Sequence, residues 1–84
     1  MNKVFIFAGT HEQAKKLARW HDMAQSEWTY VSDPYRLFGQ RQQTMWLYGS
    51  WLEHPACVDV LDKARAAQFR IFAIKDDMHF GGLS

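Results

Sequence analysis

Histidine, aspartate, serine and glycine collect at four stretches of this chain: Gly9-Thr10-His11, Ser32-Asp33, Gly49-Ser50-Trp51 with His54, and Lys75-Asp76-Asp77 with His79. Three of the four histidines fall there. Imidazole beside carboxylate can hold a divalent metal or divide the roles of base and acid. No two of these residues stand at a tight ligand spacing such as H-x-x-x-H. Loop ends also gather polar side chains simply because they are solvated. Solvated loops are the first reading, and a shared ligand site the second.

Anion binding is the next chemistry to weigh. Gly9-Thr10-His11 offers free amides and the positive end of a helix dipole if a helix begins there. A Walker loop needs G-x-x-x-x-G-K-[ST], so that a run of amides wraps the phosphates while lysine neutralises them. Only Gly9 precedes the helix, and Lys15 and Lys16 lie a turn too far along. Triphosphate hydrolysis of the conventional kind is excluded, whereas weak anion binding is not. Nucleophilic chemistry has as little support. Ser50 follows Gly49 but lacks the second glycine of a G-x-S-x-G elbow. Cys57 lies near a helix start, yet it also lies on an apolar stripe, so packing is its expected role. No catalytic residue, metal or cofactor is assigned.

The middle of the chain has a different character. Between Asp33 and Glu53 there is no acid, while Arg36 and Arg41 stand among Tyr35, Phe38, Trp46, Tyr48 and Trp51. Unpaired bases stack on aromatic faces and arginines hold phosphate, a mixture tolerant of sequence. Tryptophan, tyrosine and arginine also dominate protein interfaces. Trp46 and Phe38 are assigned to packing, and Tyr35, Arg36, Arg41 and Trp51 to the surface, because they occupy turns flanking a strand. Four tryptophans are many for so small a core, so Trp20 or Trp51 is expected at a contact surface.

These residues must be positioned by a small set of elements. Lys3 to Ala8 is a short apolar run closed by Gly9, as in a strand buried on both faces. Thr10 and Gln13 stand at a capping-box spacing, and Ala14, Leu17, Ala18 and His21 repeat as one helical stripe ending near Met23 to Gln25. Trp28 to Val31 is the second strand, stopped by Ser32-Asp33-Pro34, and one helical turn over Tyr35 to Gly39 follows. Thr44 to Tyr48 is the third strand. Pro55 opens a second helix with Cys57, Val60, Leu61, Ala64 and Ala67 or Gln68 inward, and Arg70 to Lys75 is the last strand. The order β-α-β-turn-β-α-β predicts one small α/β domain of two or three layers, with a mainly parallel sheet in the order 2-1-3-4. The connection from Ser32 to Gln43 is barely long enough to cross over, which leaves an antiparallel second strand as the alternative. The domain is expected to span 1–76, with a flexible tail at 77–84.

Composition narrows the classes. In 84 residues, 48% are hydrophobic and 23% charged, which suits a folded domain and neither a disordered tail nor a membrane protein. Ten basic against nine acidic residues argue against a surface that is cationic throughout, though not against a local basic patch. One cysteine excludes an internal disulfide. The opening apolar run is far shorter than the ~20 residues of a spanning helix, so a soluble cytoplasmic protein is expected.

The segments Val4-Phe5-Ile6-Phe7-Ala8-Gly9-Thr10, Tyr30 to Gly39 and Thr44 to Gly49 together look like a pared-down Rossmann-like or P-loop-derived unit. The chain resembles small phage-encoded accessory proteins and, more distantly, the middle of helicase and terminase ATPase cores. Where such a core carries its phosphate loop this chain has Gly9-Thr10, and where it carries metal-binding acids it has Tyr48-Gly49-Ser50. The resemblance therefore implies a lost ATPase site, retained binding, and residence in a bacterial host. The expected function is a non-enzymatic binding protein that engages a host protein or single-stranded nucleic acid through Tyr35, Arg36, Arg41 and Trp51. The runner-up is a small-ligand or phosphate-ester site built from Gly9, Thr10, His11, Asp33, Ser50 and His54. A homo-oligomer formed through an exposed sheet edge is the third reading.

Overall fold

A computed structural model describes residues 3–74. Strand β1 (Val4–Ala8), helix α1 (His11–Trp20), strands β2 (Trp28–Val31) and β3 (Thr44–Tyr48), helix α2 (Cys57–Ala66) and strand β4 (Arg70–Ala73) follow in chain order. Single 3-10 turns occupy Gln25–Glu27, Pro34–Leu37 and Trp51–Glu53. The strands form one sheet in the order β2-β1-β3-β4, and every neighbouring pair is parallel. The expected topology is therefore present, and the antiparallel alternative for β2 is not. The expected Lys75 end of the last strand and the tail at 77–84 lie outside the described residues.

Burial on both faces explains why β1 reads as an unbroken apolar run. Phe5 and Phe7 point to one side, where they pack with Val31, Leu37, Met45, Leu47, Val60, Ala64 and Phe69 beneath α2. Ile6 and Ala8 point to the other, against Ala14, Leu17 and Ala18 of α1 and against Tyr48. The chain thus has three layers, with α1 and α2 on opposite faces of the sheet. Coverage is uneven: β4 is an edge strand, and its Phe72 remains 51% exposed.

The crossover from β2 to β3 succeeds in few residues because it turns tightly. Asp33 accepts the Tyr35 amide at 2.9 Å, Pro34 presets the first turn, and Leu37 is driven into the α2-side core at 1% exposure. With Leu37 inward, its neighbour Phe38 must face out. Phe38 is 58% exposed, correcting the expectation that it packs inside. Trp46 and Trp51 are both partly buried against the cores, and Trp20 is 44% exposed.

Both helices stop through the same device. The amide of Asp22 donates to Arg19 O at 3.0 Å and that of Met23 to Ala18 O at 2.9 Å, with Asp22 at φ 56°. Gln68 and Phe69 repeat the pattern onto Arg65 O and Ala64 O, with Gln68 at φ 62°. This paired closure is a Schellman motif, and its left-handed residue is usually glycine. It ends α1 at Trp20, short of the expected Met23 to Gln25. His21 becomes the exposed cap of α1, its ring 4.9 Å from Trp46, and leaves the inward stripe. On α2, Ala67 is the partly buried residue and Gln68 faces solvent.

Candidate functional site: grooves along the β2 edge

In an open parallel sheet, ligands bind beyond the carboxyl ends of the strands where the strand order reverses. Here that point lies between β1 and β3, and Gln13 fills it. Its Oε1 accepts the Gly9 amide at 3.0 Å and the Ser50 amide at 3.1 Å, while its Nε2 donates to Ser50 Oγ at 3.2 Å. The capping box is therefore half formed. Thr10 Oγ1 accepts the Gln13 amide at 3.1 Å, but the Gln13 side chain bridges two strand ends instead of returning to Thr10. A Cβ on Gly9 would meet Ser50 O and Gln13 Oε1, each at 2.9 Å, so the packing is close. The Gly9, Ser50 and Gln13 amides, three of the donors an anion would meet here, are thus already engaged.

The remaining residues of the expected carboxyl-edge site are spread apart. His54 lies against Phe7 at 5.0 Å on the α2 side, and its Nδ1 accepts the Ala56 amide at 3.0 Å. His11 stacks on Tyr30 on the α1 side at 4.9 Å and 17°. Asp33 is engaged in its own turn. Gly9, Thr10 and Ser50 are brought together around Gln13; His11, Asp33 and His54 are not. Among the described residues no group of three or more His, Cys, Asp or Glu is placed to hold a metal ion. No helix among them is long and apolar enough to cross a membrane.

The aromatic and basic residues of the middle segment divide as well. Tyr35 is 73% exposed and meets Phe38 edge-on at 5.4 Å. Arg41 precedes β3 and Trp51 follows it, so they flank opposite ends of the strand, about 16 Å apart along its length. Trp51 packs against the α2-side core. Arg36 and Arg41 are exposed and each lines a groove.

The largest of these grooves, about 450 Å³, runs along β2 between His11 and Lys15 of α1 and Arg36 of the crossover. Trp28, Thr29 and Tyr30 line it in succession, with the two rings on the α1 face, where they also pack partly against that core. β2 pairs only with β1, so its other edge is open beside these rings. Lys15 keeps one ion pair, to Glu12 at 3.3 Å, and Arg36 has none among the described residues. Burial raises the Tyr30 phenol above its ordinary value of 10.0, so it stays a neutral hydrogen-bonding group at physiological pH. Arg36 is the residue that the sequence pattern and the groove share. Trp28, Tyr30 and Lys15 were within reach of sequence reasoning: two aromatics at i and i+2 on a short strand, with a lysine on the polar face of the preceding helix. Comparison with known proteins adds no relative: no family model, no curated protein and no solved structure matches this chain.

Proposed function

We propose that this protein is a non-enzymatic binding module whose β2 groove takes a short segment of single-stranded nucleic acid. The observation that carries this reading is the wall of that groove: Trp28, Tyr30 and His11 rings beside Lys15 and Arg36, with no carboxylate among the lining residues. Tyr30 is already stacked by His11, so Trp28 and His11 are the rings that would offer flat surfaces to bases, and the cations lie where phosphates would run. The +1 formal charge does not oppose the reading, because the cations are local. Stacking of one base on an aromatic side chain is worth about 1–3 kcal/mol. Loss of Trp28 should therefore weaken binding by roughly 5- to 150-fold.

The test is fluorescence anisotropy of a labelled oligothymidylate of about six nucleotides, at low and then moderate salt. Saturable binding that weakens with salt, and that falls in both Trp28→Ala and Arg36→Ala, supports the reading. Absence of binding by a folded sample, or affinity unchanged in both variants, refutes it and turns attention to a protein partner.

A further inference from the structure

The β2 groove does not end at Arg36. Arg36 and Thr29 also line a second groove of about 340 Å³, whose other walls include Lys3, Gln40 and Gln43. Gln40 in turn lines a third, of about 250 Å³, between the crossover turn and α2, where Arg41 and Lys63 stand beside Gly39. The three grooves are therefore joined through shared wall residues. Lys15, Arg36, Lys3, Arg41 and Lys63 follow one another along them, and no lining residue of any of the three is acidic. At the far end the Lys63 ammonium sits 4.4 Å over the Phe38 ring, which Tyr35 meets from the side. Both rings remain largely exposed despite these contacts: Phe38 is 58% and Tyr35 73% open to solvent.

We infer that these grooves form one track, and that a single strand bound at Trp28 and His11 continues past Arg36 and Lys3 to a second stacking platform at Phe38 and Tyr35. The inference rests on the reading proposed above. The track bends from the open edge of β2 round to the α2 face. A duplex, stiff over about 150 base pairs, would not follow that bend, whereas a flexible single strand does. The glutamines between the cations supply neutral donors and acceptors for bases or sugars, so no particular sequence is demanded.

Oligonucleotides of two lengths separate this inference from the reading beneath it. For a single strand the slope of log affinity against log salt is about −0.7 per phosphate neutralised. An oligothymidylate of about four nucleotides, confined to the β2 groove with Lys15 and Arg36, should give a slope of about −1.4. One of about twelve nucleotides, reaching all five cations, should bind more tightly with a slope of about −3.5. The double variant Arg41→Gln, Lys63→Gln should shrink the longer strand's slope by about 1.4 and leave the shorter strand unaffected. Phe38→Ala should likewise weaken only the longer one. Short and long strands with equal slopes, or a double variant that changes both equally or neither, overturn the track while the β2 reading stands. Failure of both strands to bind overturns both. Displacement of the long strand by polyglutamate as readily as by unlabelled oligonucleotide also overturns the track as a nucleic-acid site, in favour of an acidic protein segment.

Discussion

Replacing Gln13 by alanine removes one acceptor that two backbone amides share. The Gly9 and Ser50 amides donate to it at 3.0 and 3.1 Å, in a part-buried crevice between the ends of β1 and β3. A typical intramolecular hydrogen bond contributes about 1 kcal/mol net, and an amide left unpaired costs more where water cannot reach it. Two such bonds set the loss for Gln13→Ala at about 2 kcal/mol. For a domain of this size that lowers the Tm by roughly 8–16 °C. Urea unfolding followed by tryptophan fluorescence should show a lower midpoint with an unchanged m-value, since no additional surface is exposed in the native state. Gln13→Glu separates hydrogen bonding from packing. Its carboxylate accepts the same two amides and the Ser50 hydroxyl, close to the positive end of α1, so stability at neutral pH is retained. Those donors favour the ionised form and draw its pKa below the ordinary ~4.3. Below that ordinary value the unfolded chain binds more protons than the folded one, so the retained stability is lost as pH falls through the folded value. A cost below about 0.5 kcal/mol for Gln13→Ala, or an equal loss in Gln13→Glu at neutral pH, would refute the bridging role.

Gln68 sits at φ 62° as the left-handed residue of the α2 Schellman closure. Gln68→Gly relieves a Cβ clash that costs about 1 kcal/mol, and gives up only an exposed bond from Gln42 at 3.3 Å, so the urea midpoint should rise. Tyr30, whose phenol burial raises above 10.0, makes stability depend on alkaline pH. Above about pH 10 the unfolded chain sheds this proton first, so the folded state is favoured less as pH rises, until the folded phenol also ionises. Unfolding at a series of alkaline pH values should show that decline in the wild type and a shallower one in Tyr30→Phe.

Much of the fold could be read from local pattern. β1 and β3 carry apolar residues at successive positions because helices cover both faces, which is the signature of an internal parallel strand. The ends of β2 and β3 were marked by Ser32-Asp33-Pro34 and Gly49, residues whose turn chemistry is local. Local pattern failed where two neighbouring residues were equally apolar, or where one side chain had two sets of partners. Leu37 and Phe38 have similar hydrophobicity, and the phase of a 3-10 turn decided which went inside. Thr10 and Gln13 had the spacing of a capping box, but Gln13 found Ser50, 37 positions along the chain, and only the strand order brings that partner near. The groove was hidden for the same reason. His11, Lys15, Trp28 and Arg36 belong to three separate elements, and their meeting is a product of β2 lying at the edge.

The strand order also accounts for why the candidate surface lies beside the sheet and not beyond it. In the order β2-β1-β3-β4 the default crevice opens between the carboxyl ends of β1 and β3. One residue of α1 closes it from within: Gln13 takes the amides of both strand ends. The positions that a nucleotide-binding fold would devote to phosphate here tie two loops together. Cations that make no ion pair among the described residues collect instead beside β2 and the amino ends of β1 and β3, where Lys3, Arg36 and Arg41 line grooves. Under the proposed function, stability and binding fall to different edges of one sheet, and the two should respond to mutation independently. Gln13→Ala should lower the unfolding midpoint while a still-folded sample keeps its oligonucleotide affinity. Arg36→Ala should do the reverse, because its guanidinium makes no ion pair among the described residues. If Gln13→Ala weakened oligonucleotide binding as strongly as Arg36→Ala does, the carboxyl edge would be part of the binding surface and this division of labour would fail.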